Sequence, residues 1–113
     1  MSGEVLFEEG ARPFYGATVY IRLENNSQLD AASQVIAEQV VRNFSYQPGE
    51  SAGLEFKLYG EQPDEHASCN VRAHVDLNGD SRISAGDYIT MQSYPVLTYG
   101  YPRRISITVR EVR

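Results

Sequence analysis

Asp30-Ala31-Ala32-Ser33-Gln34-Val35-Ile36-Ala37-Glu38-Gln39-Val40-Val41-Arg42 is the stretch on which the fold class turns. Apolar residues at 32, 35, 36 and 40 make a fair helical face behind Asp30, a residue type that caps helix N-termini. Read as a strand, the same stretch puts Ile36 and Val40 on one face and Val35, Ala37 and Val41 on the other, an untidy division. Local propensity favours the helix. A strand here completes an all-β chain, and a helix interrupts it.

Everything on either side alternates with period two. Ala17, Val19, Ile21 and Leu23 alternate with Thr18, Tyr20, Arg22 and Glu24. The same pattern holds for Leu54, Phe56 and Leu58, for Cys69, Val71, Ala73 and Val75, and for Ile105, Ile107 and Val109. Such alternation belongs to strands with one buried face. Residues 3–8 and 88–93, rich in β-branched and aromatic side chains, read as two further strands. Glycine, proline and asparagine separate these segments, at Gly10 to Pro13, Asn25 to Ser27, Pro48-Gly49, Gly60 to Pro63 and Gly100 to Pro102. Many short strands so punctuated predict an all-β, antiparallel two-sheet sandwich of about seven strands.

Asp76-Leu77-Asn78-Gly79-Asp80-Ser81-Arg82-Ile83-Ser84-Ala85-Gly86-Asp87 carries the clearest chemistry. Counted from Asp76, side-chain oxygens fall at positions 1, 3, 5, 9 and 12, with an apolar residue at 8. A twelve-residue loop that ligates through positions 1, 3, 5, 7 and 12 wraps one Ca²⁺ ion. The spacing assigns side-chain ligands to Asp76, Asn78 and Asp80 and the backbone carbonyl of Arg82. Asp87 supplies the terminal carboxylate, and Ser84 binds directly or through water. Ile83 is expected to point away from the ion and pin the loop to the core. The pattern resembles the EF-hand family, and more closely the calcium loops of dockerins. Two positions depart from the EF-hand form: Ser81 stands where glycine makes the sharp turn, and Asp87 replaces the longer glutamate. Its flanks read as strands, so the loop is expected at a hairpin tip. The competing readings are an empty Asp/Asn/Gly turn and a Mg²⁺ or Mn²⁺ site. Three carboxylates within twelve residues repel one another when no cation is present.

Other candidates are weaker. His66 and His74, eight residues apart, match no zinc spacing, and His74 reads as a solvated residue on the polar face of its strand. Cys69 begins an apolar face and reads as a core residue. The chain has no Gly-x-Ser-x-Gly elbow and no glycine-rich phosphate loop, and a non-enzyme is expected. Tyr94, Tyr99 and Tyr101, close to Pro95 and Pro102, form a candidate aromatic surface for a protein partner. Asn25-Asn26-Ser27 and Asn43-Phe44-Ser45 match the short glycosylation sequon.

The chain of 113 residues is the size of one domain with one core. Ten Lys+Arg against 15 Asp+Glu leave it at −5, with no basic stripe for a nucleic-acid backbone. No apolar run approaches the roughly 20 residues of a membrane span, and neither a transmembrane segment nor a signal peptide is expected. A single cysteine makes no internal disulfide. A monomer is expected.

Tyr94-Pro95-Val96-Leu97-Thr98, Gly100 and the strand from Ile105 to Val112 resemble the end of the YbaY/YscW family of small bacterial lipoproteins. Gly3-Glu4-Val5, the strand from Ala17 to Leu23, Val35-Ile36-Ala37-Glu38-Gln39 and Phe56-Lys57-Leu58 fall in that family's order. The resemblance implies a β-sandwich in which 34–42 is a strand, and that reading is adopted over local propensity. Named members of the family act as type III secretion lipoprotein chaperones, or pilotins. This chain has no lipobox cysteine at its start, and its acidic loop is more developed than the family leads one to expect. The expected function is a calcium-stabilised, non-catalytic domain, periplasmic or cell-surface if the ion site is real. The alternative is a pilotin-like protein-interaction domain whose loop is only a turn.

Overall fold

The computed structural model describes residues 1–25, 34–48, 53–59, 68–96 and 103–113. They form seven strands and no helix: β1 (Ser2–Phe7), β2 (Phe14–Asn25), β3 (Gln34–Tyr46), β4 (Leu54–Lys57), β5 (Cys69–Asp76), β6 (Tyr88–Thr90) and β7 (Arg104–Glu111). All seven belong to a single sheet ordered β3-β2-β5-β6-β7-β1-β4. The sheet curls until it is nearly closed into a barrel, which corrects the expected pair of stacked sheets. Pairing is not wholly antiparallel either. β1 runs parallel to β7, from Ser2 opposite Arg104 to Phe7 opposite Val109. Alternation records only that one face of a strand is buried, and the inside of a barrel buries a face as a sandwich does.

The interior receives the residues that alternation selects. Val19, Ile21, Val71, Val75, Ile107 and Val109 are fully enclosed, with Val5, Ala17, Phe56 and Val96 beside them. At the end of the barrel where β1 and β3 finish and β2 and β6 begin, Phe7, Phe14, Phe44, Tyr46 and Tyr88 pack together. Phe7 stacks on Tyr46 at 4.2 Å between centroids and meets Tyr88 edge-on at 5.6 Å. Gly3 allows the tight approach of β1 to β7, because a Cβ there would lie 2.0 Å from the Ile105 carbonyl oxygen.

Residues 34–46 form the longest strand, which bears out the strand adopted for 34–42 against local helical propensity. Asp30, the expected cap, lies outside the described residues. The β2 edge offers a row of backbone donors and acceptors that a helix cannot satisfy, and the Val- and Ile-rich sequence suits a pleated surface. Alternation is untidy because the β2–β3 ladder shifts register between Leu23 and Glu24 and again between Phe14 and Val19. Asn43, at φ 57°, is one of two non-glycine residues in the left-handed region among the described residues. The strand expected over 88–93 stops at Thr90. Val71 N–H donates to the Tyr94 carbonyl and Val96 N–H to that of Cys69, so the chain rejoins β5 beyond a short gap.

Candidate functional site

β5 and β6 form a hairpin, with His74 opposite Ile89 and Val75 opposite Tyr88. Continuing that register by one residue brings Asp76 and Asp87 face to face at the base of the loop. They are the buried acids of the described chain, at 2% and 1% exposure. Like charges placed opposite one another destabilise a hairpin unless something compensates.

Backbone donors supply much of that compensation. Asp76 accepts the Gly79 N–H on Oδ1 at 3.1 Å and the Ser81 N–H on Oδ2 at 2.8 Å. Asp87 accepts the Leu77 N–H on Oδ1 at 3.1 Å and the Ser84 N–H on Oδ2 at 3.2 Å. His74 completes the cluster, its Nε2 lying 2.8 Å from Asp87 Oδ2. With its side chain 14% exposed, it is not the solvated residue expected from the alternation. One ligand atom from each of His74, Asp76 and Asp87 lies within 4.8 Å of the others.

The remaining loop residues form an exposed second group. Asn78 Nδ2 donates to Asp80 Oδ2 at 3.3 Å and to Ser84 Oγ at 3.1 Å. Asp80 Oδ1 accepts the Arg82 N–H at 2.9 Å, and Ser84 Oγ reaches the Arg82 carbonyl at 3.4 Å. Thus all six expected ligands, Asp76, Asn78, Asp80, Arg82, Ser84 and Asp87, fall in one hydrogen-bonded loop. The turn is made at Ser81, φ 61°, and at Gly79, φ 75°. Each carboxylate oxygen of Asp76, Asp80 and Asp87 already meets an N–H donor, and Asp87 Oδ2 meets both the Ser84 N–H and His74 Nε2.

Two expectations fail here. Ile83 does not pin the loop to the core; it is 60% exposed. The loop is tied down from its other side, where the Tyr20 hydroxyl meets Ser81 Oγ at 3.2 Å. Tyr94 is 8% exposed, and its hydroxyl accepts the Thr108 N–H at 2.9 Å, so it braces β7 and is not presented to a partner. Tyr99, Tyr101 and His66 lie outside the described residues. The part played by His74 was missed, although hairpin register was the signal that could have found it.

Three comparisons bear on what the chain resembles. No protein-family profile matches it, and no curated protein sequence does. Among solved structures it superposes on an alternative pilotin from the type II secretion system of Vibrio cholerae, with a TM-score of 0.78 at 24% identity. The match covers 100% of this chain and 96% of that one. At this identity the likeness establishes a shared fold. It accords with the all-β character implied by the YbaY/YscW resemblance.

Proposed function

We propose that this chain is a non-catalytic, pilotin-like protein-interaction domain that serves a bacterial secretion system outside the cytoplasm. The observation that carries this reading is the structural match to a pilotin over 100% of this chain and 96% of that one. The test is affinity capture, with the immobilised domain, from membrane extracts of the organism that encodes it. Bound proteins are identified by mass spectrometry against a β-domain control of equal net charge. Enrichment of a secretion-system component is the expected result. Capture indistinguishable from the control defeats the reading.

A second reading concerns the 76–87 loop, as a structural Ca²⁺ site. Two facing, buried carboxylates and a left-handed residue at the sixth loop position support it. Asp76, Asn78, Asp80, the Arg82 carbonyl, Ser84 and Asp87 would hold the ion, whose charge would relieve the repulsion at the hairpin base. Binding only to the folded loop stabilises by about 2.7 kcal/mol at 100 times the dissociation constant. Melts in millimolar Ca²⁺ should therefore exceed those in EDTA by roughly 10 °C, with Mg²⁺ as the control. Coincident melts leave the loop as a turn.

A further inference from the structure

The outer face of β2, β5 and β6 holds a recess of about 180 Å³ whose walls include Tyr20, Arg22, Arg72, His74, Ile83 and Ile89. Its composition runs against that of the chain. In a protein of net charge −5, two arginines stand directly opposite one another here, Arg22 on β2 and Arg72 on β5. Such a pair is unfavourable unless carboxylates flank it. Arg22 is held by Glu38 on the β3 side, and its guanidinium lies 5.5 Å from the centre of the Tyr20 ring.

Arg72 is held far less. Its Nε lies 3.9 Å from Glu24, the outer limit of an ion pair, and its side chain is 69% exposed. A guanidinium carries five N–H donors in a fork suited to a carboxylate. Among the described residues no hydrogen bond engages those of Arg72. Beside it the wall is mixed: Glu24, His74 and Thr90 are polar, and Ile83 and Ile89 are aliphatic. Ile83 is 60% exposed, Ile89 lies half-buried across from His74, and the Tyr20 ring stacks on His74 at 5.9 Å. The recess thus offers one weakly paired cation beside the aliphatic side chains of Ile83 and Ile89.

We propose that this recess binds a partner peptide in which a carboxylate lies next to a large aliphatic side chain. The carboxylate docks on Arg72, and the aliphatic group docks on Ile83 and Ile89. The proposal rests on the protein-interaction reading and gives the partner its chemistry. It also gives Ile83 a reason to be exposed, since the loop presents that side chain to the recess.

The probe is N-acetyl-L-leucine, which carries one carboxylate and one aliphatic side chain. It is titrated into the ¹⁵N-labelled domain and followed by amide chemical shifts. Shifts should cluster at Arg72, His74, Ile83 and Ile89. Affinity should fall at least fivefold for N-acetyl-L-leucinamide and for Arg72→Gln, and at least threefold for Ile83→Ser. Both side chains are largely exposed, so both variants should melt with the parent. Scattered shifts, or an amide that binds as well as the acid, overturn the proposal. So do equal shifts from inorganic phosphate, which would mark a plain anion site. The capture experiment separates the two levels. A secretion component still captured while the probe fails to bind removes this recess and leaves the interaction reading standing. Probe binding without any specific capture supports the recess and removes the broader reading.

Discussion

Asp87 gathers more of the loop than any other side chain, because its two oxygens tie Leu77, Ser84 and His74 to one point. Replacing one oxygen by an amide turns a donor toward backbone N–H groups in a site that is 1% exposed. Hydrogen bonds to a charged group contribute about 1.5–3 kcal/mol each, and an unpaired buried group costs a similar amount. Asp87→Asn should therefore lower the melting midpoint by roughly 10 °C. Asn78→Ala, an exposed change in the same loop, should stay within about 0.5 kcal/mol of the parent. Equal melts for all three proteins would show that the hairpin holds without its buried carboxylate. Cys69 poses a simpler question. It is 1% exposed, and burial pushes its thiol up from the ordinary range. A thiol reagent should label it only on unfolding, and a native rate equal to that in urea would show that the start of β5 is open.

Strand pairing explains what residue patterns could and could not convey. The buried faces of β2, β4, β5 and β7 were legible because each repeats every second residue, and the hairpin loop from Asp76 to Asp87 was legible because its turn residues are consecutive. The state of 34–42 was not legible from its own residues. Its helical face is real as a pattern, and what defeats it is a partner edge on β2 together with register shifts that scramble the alternation. The far edge of β3 meets β4 without a backbone ladder between them. Gln39 Oε1 accepts the Lys57 N–H at 2.8 Å, a side chain standing where a strand's carbonyl would be. No sequence period marks such a seam. Near it, Arg104 on β7 reaches across β1 to Glu55 on β4, with Nη2 2.9 Å from Oε1 and Nη1 3.2 Å from Oε2. The Arg104 hydrogen bonds hold the Glu55 carboxyl below its ordinary value of 4.5. The folded protein thus binds that proton less tightly than the unfolded chain does. The pair's contribution is present above pH 4.5 and is lost as the pH falls through the lowered value. Both side chains are more than half exposed, so Glu55→Gln should lower the midpoint only slightly at pH 7. That difference should vanish when the melts are repeated below the lowered value, and a constant offset at every pH would assign it to packing.

Closure of the whole molecule depends on its first strand. β1 lies between β7 and β4, and β4 joins the sheet through β1 alone among the described pairings. The chain's beginning thus pairs with its end across nearly the full sequence, parallel and out of reach of any local signal. A fold dominated by such distant pairing closes slowly, on the order of milliseconds to seconds. Two variants test how far stability rests on this closure. Gly3→Ala places a Cβ against the Ile105 carbonyl at 2.0 Å and the Phe56 ring at 2.8 Å, so β1 must move away from a neighbour. Overpacking of this kind costs about 1–3 kcal/mol, and the variant should melt roughly 10 °C lower but still cooperatively. Deleting residues 2–7 is more severe. It removes Val5 from the core and Phe7 from the aromatic cluster, and it strips β4 of its ladder. The truncated chain should show no cooperative thermal transition by circular dichroism. A sharp transition in that chain would mean that β4 finds another edge and that six strands suffice. Closure through the N-terminal strand would then not be what holds the barrel together.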